Sequence, residues 1–228
     1  MPTMTGRFLL AIDTSGTRAL VALGAADGSL AAERRWTAGY RHGEELLARV
    51  DEMLTAERVA LQDLTAIVVG TGPGAFTGLR VGLATAKALA RGLDIPIAGV
   101  PTSEALLAAA RLAGAFDGTH TVLLLPAGPS DRVLVSDGEA SLIKGGEEPE
   151  LSAGTVVVAV DLPNRAPDAA LALGEIAEDG LGAALVRLGA ERLATGGDDV
   201  ARLVPEYVTL PRGITAVKGE VRWSRDHR

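Results

Sequence analysis

The chain of 228 residues contains no cysteine. That single absence removes disulfides, thiolate nucleophiles and cysteine-bound metals together. Histidine is nearly missing too. His42, His120 and His227 lie too far apart in sequence for a helical metal pair, so an HxxxH or HExxH hydrolase is excluded by spacing. No GxSxG elbow is present to carry a serine nucleophile. Aromatic residues make up only 3% against 47% apolar residues, mostly Ala, Leu and Val. With so few large anchors, packing must rely on close backbone approach. No apolar run approaches the roughly 20 residues of a membrane span. The opening MPTMTGRFLLAIDTS lacks the apolar region and cleavage site of a secretory signal. The expectation is a soluble, cytoplasmic protein with no resident metal and no membrane contact. Its net charge of −7 argues against a domain that grips nucleic acid unaided.

What is present is an α/β pattern. Phe8 to Asp13 is a continuous apolar run that suits a buried central strand. Arg18 to Ala25 and Ser29 to Trp36 follow around Ala26-Asp27-Gly28, a hairpin turn. From Gly43 to Ala56 the period becomes helical, with Leu46, Leu47, Val50, Met53 and Leu54 on one face. A strand over Ala66 to Val69, a helix from Leu79, a strand over Ile95 to Val100 and a helix through Leu112 complete the first half. Thr102 or Ser103 is the expected N-cap of that last helix. The order β-β-β-α-β-α-β-α is that of an actin or RNase H-like half. Residues 113–118 form the expected joint. Beyond it, strands over 121–125, 132–136, 141–144 and 155–160 and helices over 168–177 and 182–194 make a shorter, eroded copy. The expected division is 1–114, 115–210 and a tail, 211–228, with five basic and two acidic residues. The tail reads as solvated and flexible; contact with RNA is the alternative.

The densest motif is GTGPGAFTGLR at 70–80, with four glycines and a proline within nine residues. It joins an apolar strand to a helix. Two readings stand side by side: a cradle of backbone amides for an anion, or a turn that sets how elements pack. It lacks the Gly-Lys-Ser/Thr ending of a P-loop. It also lacks the acid that follows a GxGxxG fingerprint about 20 residues on. Asp13, Gly72, Gly74, Thr77 and Arg80 are the candidate anion- or nucleotide-proximal residues. Arg80 suits either an anion or a surface ion pair. Asp13 suits either a metal–nucleotide or a turn capped through Thr14 and Ser15. The matching stretch of the second half, Leu123 to Pro129, carries no acid, so a nucleotide site would be incomplete.

In the helix after the motif, Gly78, Gly82 and Ala86 recur at a spacing of four. Glycine inside a helix costs about 1 kcal/mol relative to alanine. Such a face therefore implies that another element comes close, either the 43–56 helix of the same chain or a helix of another protein. Gly78, Gly82 and Ala86, with Leu46, Leu47, Val50 and Met53, are the expected partner interface. On that view Gly82→Leu blocks pairing and leaves the monomer folded.

AIDTS near the start, RHGEELL at 41–47, GTGPGAFTGLRVGLATAKALA at 70–90 and IPIAGVPTSEALLAAA at 95–110 resemble the TsaB family, also called YeaZ and once grouped with glycoprotease-type peptidases. Pro205-Glu206-Tyr207-Val208-Thr209 resembles that family's Pro-x-Tyr-Leu-Arg ending more weakly. The resemblance implies two actin-like (RNase H-like) domains, the second shorter and degenerate. It implies a non-catalytic dimerisation subunit that binds and supports a TsaD-type transferase. That transferase makes threonylcarbamoyladenosine beside the tRNA anticodon, with a TsaE-type ATPase. It further implies a homodimer in isolation, only indirect tRNA contact, no catalytic residues, and ATP or ADP only at the partner interface. The transferase's metal histidines fall at Thr102 and Leu106 here. Pro126-Ala127-Gly128 and Arg132-Val133-Leu134 depart from the family's Asp-Ala-Arg and Glu-Val-Tyr stretches. An actin-superfamily ATPase or a glycoprotease-like hydrolase is the alternative, motivated by the Asp13 loop and the glycine turn.

Overall fold

The computed structural model describes residues 7–37, 42–116, 120–208, 214–217 and 220–223. Five strands of the first half form one sheet in the order β3-β2-β1-β4-β5. They are β1 (Phe8–Asp13), β2 (Arg18–Ala25), β3 (Leu30–Thr37), β4 (Leu64–Gly70) and β5 (Ile97–Val100). The first three make an antiparallel meander, and β4 and β5 add in parallel. Helices α1 (His42–Glu57), α2 (Phe76–Leu93) and α3 (Thr102–Leu112) link the later strands. A second sheet, ordered β8-β7-β6-β9, repeats the plan one strand short. Its strands are β6 (Thr121–Ala127), β7 (Asp131–Ser136), β8 (Glu139–Ile143) and β9 (Val156–Ala159), followed by α4 (Asp168–Asp179) and α5 (Leu181–Ala194). The chain thus has two actin-like halves, the second reduced.

Strand alternation divides the core. Phe8, Leu10 and Ile12 of β1 face Leu46, Val50 and Met53 of α1 and Leu83, Ala86 and Ala90 of α2. Leu9 and Ala11 face the other way. They share one apolar cluster with Leu106 of α3, Leu185 and Val186 of α5, and Leu123, Val133 and Val158 of the second sheet. The core therefore runs unbroken from one half into the other.

Packing does not follow the expected division at 114/115. Helix α5, from the second half, lies across β1, β2, β4 and β5. The approach is close enough that a Cβ on Gly189 would sit 2.3 Å from Val68 Cγ2. Beyond α5 the chain straps the open edge of β5. Asp198 donates its N–H to the Ile97 carbonyl at 2.8 Å and accepts from the Gly99 N–H at 2.8 Å. Glu206 donates its N–H to the Thr71 carbonyl at 2.8 Å. Within the expected flexible tail, β10 (Ile214–Val217) and β11 (Glu220–Trp223) pair as an antiparallel hairpin. The rest of that tail, and residues 117 and 118 of the expected joint, lie outside the described residues.

Candidate functional site

Strand β1 ends in Asp13, which falls on the Leu9–Ala11 side of the pleat and is 1% exposed. Its Oδ1 accepts from the Ser15 N–H at 2.8 Å and the Ser15 hydroxyl at 2.7 Å. Its Oδ2 accepts from the Thr102 hydroxyl at 2.6 Å. Thr102 Oγ1 in turn accepts from the Gly72 N–H at 3.1 Å. Burial pushes the Asp13 carboxyl above its ordinary value; the hydrogen bonds from Thr102 and Ser15 pull the other way and lose. Pro101, not Thr102 or Ser103, is the N-cap of α3, and no side chain caps it. The Thr102 hydroxyl is unavailable for capping because the buried carboxylate takes it.

The glycine turn folds onto this knot. A Cβ on Gly70 would stand 1.8 Å from Asp13 Oδ2, and one on Gly74 2.3 Å from the Ser15 carbonyl oxygen. The Ala75 N–H donates to that same carbonyl at 2.6 Å. The amides of Gly72 and Ala75 are thus spent within the chain, which removes them from any anion cradle. Of the five candidate anion-proximal residues, Asp13 and Gly74 line a cleft between the two sheets, and Gly72, Thr77 and Arg80 do not. Thr77 is exposed on the outer side of α2. The Arg80 guanidinium stacks 5.1 Å from the centre of the Phe76 ring, which itself packs on Tyr207 at 5.0 Å.

The expected partner interface needs correcting. Gly78, Gly82 and Ala86 are buried, and the element that comes close is the chain's own β1–β2 turn. Thr14 donates its hydroxyl to the Gly78 carbonyl at 2.7 Å, and a Cβ on Gly82 would lie 2.3 Å from Thr14 Oγ1. Leu46, Val50 and Met53 are buried beneath α1. Among the seven expected residues only Leu47, 55% exposed, reaches the surface. The small-residue face serves the interior because α2 must lie close on the sheet. Gly82→Leu would therefore strike Thr14 and does not probe an interface. The outer side of α2 carries Arg80, Ala84 and Ala88, all exposed.

The cleft between the sheets measures 580 Å³. Asp13, Thr17 and Arg18 line it from the first half, and Gly128, Asp161, Arg165 and Glu178 from the second. Thr17 donates its N–H and hydroxyl to Asp161 Oδ2 at 3.1 and 2.6 Å. Arg18 lies 3.7 Å from Glu178 and 3.6 Å from Asp179, and Arg35 Nη1 meets Asp179 Oδ1 at 3.0 Å. Arg165 donates to the carbonyls of Gly128 at 2.9 Å and Pro129 at 3.2 Å, fixing the β6–β7 turn. Burial raises the Glu178 carboxyl, the Asp161 charge adds to this, and Arg18 opposes it. Among the described residues no group of three or more His, Asp or Glu is placed to share a metal ion. Asp161, Arg165 and Glu178 escaped the sequence reading. Asp161 had a readable signal: it closes the run VVVAVD as Asp13 closes LLAID.

Comparison with known proteins settles the lineage. A segment of 110 residues, 48% of this chain and 46% of the relative, is 41% identical to the tRNA threonylcarbamoyladenosine biosynthesis protein TsaB of Bacillus subtilis. A segment of 94 residues, 41% of this chain and 40% of the relative, is 38% identical to TsaB of Escherichia coli. The family model for TsaD, tRNA N6-adenosine threonylcarbamoyltransferase, matches residues 37–183. The chain belongs to this family, in its TsaB (YeaZ) branch. A solved structure, YeaZ from Pseudomonas aeruginosa, superposes with a TM-score of 0.65 at 25% identity. That superposition covers 88% of this chain and 99% of that one. The chain spans under half the length of the curated TsaB relatives it matches. The TsaB likeness in sequence thus covers a part of the chain, and the likeness in fold covers nearly all of it.

Proposed function

We propose that this chain is a non-catalytic scaffold subunit in the formation of threonylcarbamoyladenosine next to the tRNA anticodon. It would dock on a TsaD-type transferase through the outer sides of α1 and α2. The observation that carries the reading is the exposure of Leu47, at 55%, on a helix whose other large apolar residues, Leu46, Val50, Met53 and Leu54, are buried. Ala84 and Ala88 leave the outer side of the neighbouring α2 smooth enough for a helix of the partner to approach. In isolation the same surface would pair with a second copy. A TsaE-type ATPase would complete the machinery, with tRNA contacted through the partner and ATP or ADP held only at the joint surface.

Leu47→Glu is the test. In sedimentation with a TsaD-type subunit it should lower the fraction bound at least about tenfold, because a buried unpaired charge replaces an apolar contact. Its thermal stability should match the parent chain, since Leu47 touches solvent. Reconstituted tRNA modification should need the parent chain and fail with the variant. Unchanged complex formation would reject the surface. Modification that proceeds equally well without this chain would reject the role and favour an independent ATPase or hydrolase.

A further inference from the structure

Beyond α5 the chain turns through Gly196 and Gly197, at φ 117° and 67°, and crosses the edge of the first sheet. None of the eleven residues 198–208 is fully buried, although all four residues of β5 beside them are. The segment is clasped at two points. At the first, Asp198 bonds Ile97 and Gly99. At the second, Glu206 donates its N–H to the Thr71 carbonyl and accepts from the Thr71 hydroxyl at 3.1 Å. Its apolar hold is Val200, Leu203 and Val208, each half-buried. Segments held by so little buried apolar surface open at a far lower free energy than core strands.

The far end of this segment reaches α2. Phe76, Arg80, Ala84 and Ala88 recur at a spacing of four and so share one side of that helix. Tyr207 packs on the Phe76 ring at 5.0 Å, and Arg80 stacks on the same ring at 5.1 Å. One turn further along α2, Lys87 Nζ reaches the Ala201 carbonyl at 3.5 Å. The segment therefore extends the side of α2 on which Ala84 and Ala88 are exposed.

We propose that residues 198–208 are a strap that opens as one unit about Gly196 and Gly197 while both sheets stay folded, and that its closed form completes the outer side of α2 by seating Tyr207 on Phe76. Opening bares the Ile97 carbonyl and the Gly99 N–H at the edge of β5 and takes Tyr207 away from α2. Closure and docking are then linked. A partner that rests on Tyr207 and Arg80 binds the closed form and, by reciprocity, holds the strap shut. The link to docking rests on the scaffold reading; the opening does not.

Hydrogen exchange of the full chain, read amide by amide by NMR, tests the opening. The Asp198 and Glu206 amides should exchange at least about a hundredfold faster than those of β1 and β4, because local openings cost far less than global unfolding. Asp198→Ala should speed exchange at Glu206, and Glu206→Ala at Asp198, each by about fivefold, the worth of one hydrogen bond. Both altered residues are exposed, and circular dichroism should match the parent. Strap amides as slow as those of β4, or effects confined to the altered end, overturn the opening unit. For the link, a saturating TsaD-type subunit should slow both strap amides about tenfold or more in the parent. At the same concentration it should leave them unchanged in Leu47→Glu. A complex that sediments without slowing them overturns the link and leaves the scaffold reading standing. Absence of any complex overturns the scaffold reading and the link with it, while exchange in the free chain still decides the strap.

Discussion

Thr102, the first residue of α3, donates its hydroxyl to Asp13, the last residue of β1, at 2.6 Å across a separation of 89 positions. Through Thr102 Oγ1 the same contact reaches the Gly72 N–H, so the end of a strand, the start of a helix and the glycine turn share one buried carboxylate. Thr102→Val keeps the shape and removes both the donor to Asp13 and the acceptor for Gly72. It should cost about 2–3 kcal/mol of unfolding free energy, the range for losing a hydrogen bond to a buried charge. Urea denaturation measures it. A loss below about 0.5 kcal/mol would show that the knot does not hold the turn.

Asp13 itself makes stability depend on pH. Burial holds its folded-state carboxyl above the reference value of 3.8, so the folded chain binds this proton more tightly than the unfolded chain. The ionised carboxyl therefore costs stability at neutral pH. That cost is relieved as the pH falls through the raised folded-state value, and the relief is complete below 3.8, where both states are protonated. Asp13→Asn does not titrate. The unfolding free energy of the parent minus that of Asp13→Asn should rise on acidification from neutrality. A difference that stays flat or falls would place the carboxylate outside this account.

Gly82 offers a case where helix propensity and packing disagree. Alanine inside a helix is favoured over glycine by about 1 kcal/mol. At this position, however, the added Cβ would stand 2.3 Å from Thr14 Oγ1, which bonds the Gly78 carbonyl. Overpacking of this kind costs about 1–3 kcal/mol. Gly82→Ala should therefore lower the denaturation midpoint, and Gly82→Ala with Thr14→Ala should recover part of the loss. Stabilisation by the single variant would mean that the helix shifts freely off the sheet.

Arg132 anchors the second sheet from inside. It is 6% exposed, donates to the Arg165 carbonyl at 3.0 Å and to the Glu147 carbonyl, and pairs with Glu148 at 3.2 Å. Arg132→Met fills similar space and leaves those carbonyls without their donor. A loss of about 1–2 kcal/mol is expected, because these part-buried carbonyls lose hydrogen bonds from a charged donor and water replaces them only in part. Loss of the Glu148 partner by Glu148→Gln should cost far less, since that carboxylate is 81% exposed and its ion pair is screened by solvent. Chemical denaturation of both variants checks the ranking.

The fold was readable in the chain because its signals are local. The run FLLAID, the hairpin around Asp27-Gly28 and the helical period of 43–56 each name their element without help from distant residues. The candidate site was less readable. Spacing showed that the Gly78–Gly82–Ala86 face meets something close, but a period cannot say what, and the answer was Thr14 of the same chain. The cross-cleft bonds were hidden for a related reason. Thr17 and Asp161 are 144 positions apart, and nothing in either neighbourhood announces the other. The glycine turn kept two readings until its amides could be followed to Ser15 and Thr102.

Helix α5 and the strap at Asp198 reverse the order of making and finishing. The first sheet is synthesised early, yet the face carrying Leu9, Ala11, Leu20 and Val68 gains its α5 cover only after the whole second half has been made. The edge of β5 waits longer still, for Asp198. A fragment cut at the joint would therefore be an unfinished object, with one oily face and one bare edge, prone to stick to others like itself. The second half, however worn its loops, is bound to the first as the supplier of its missing wall.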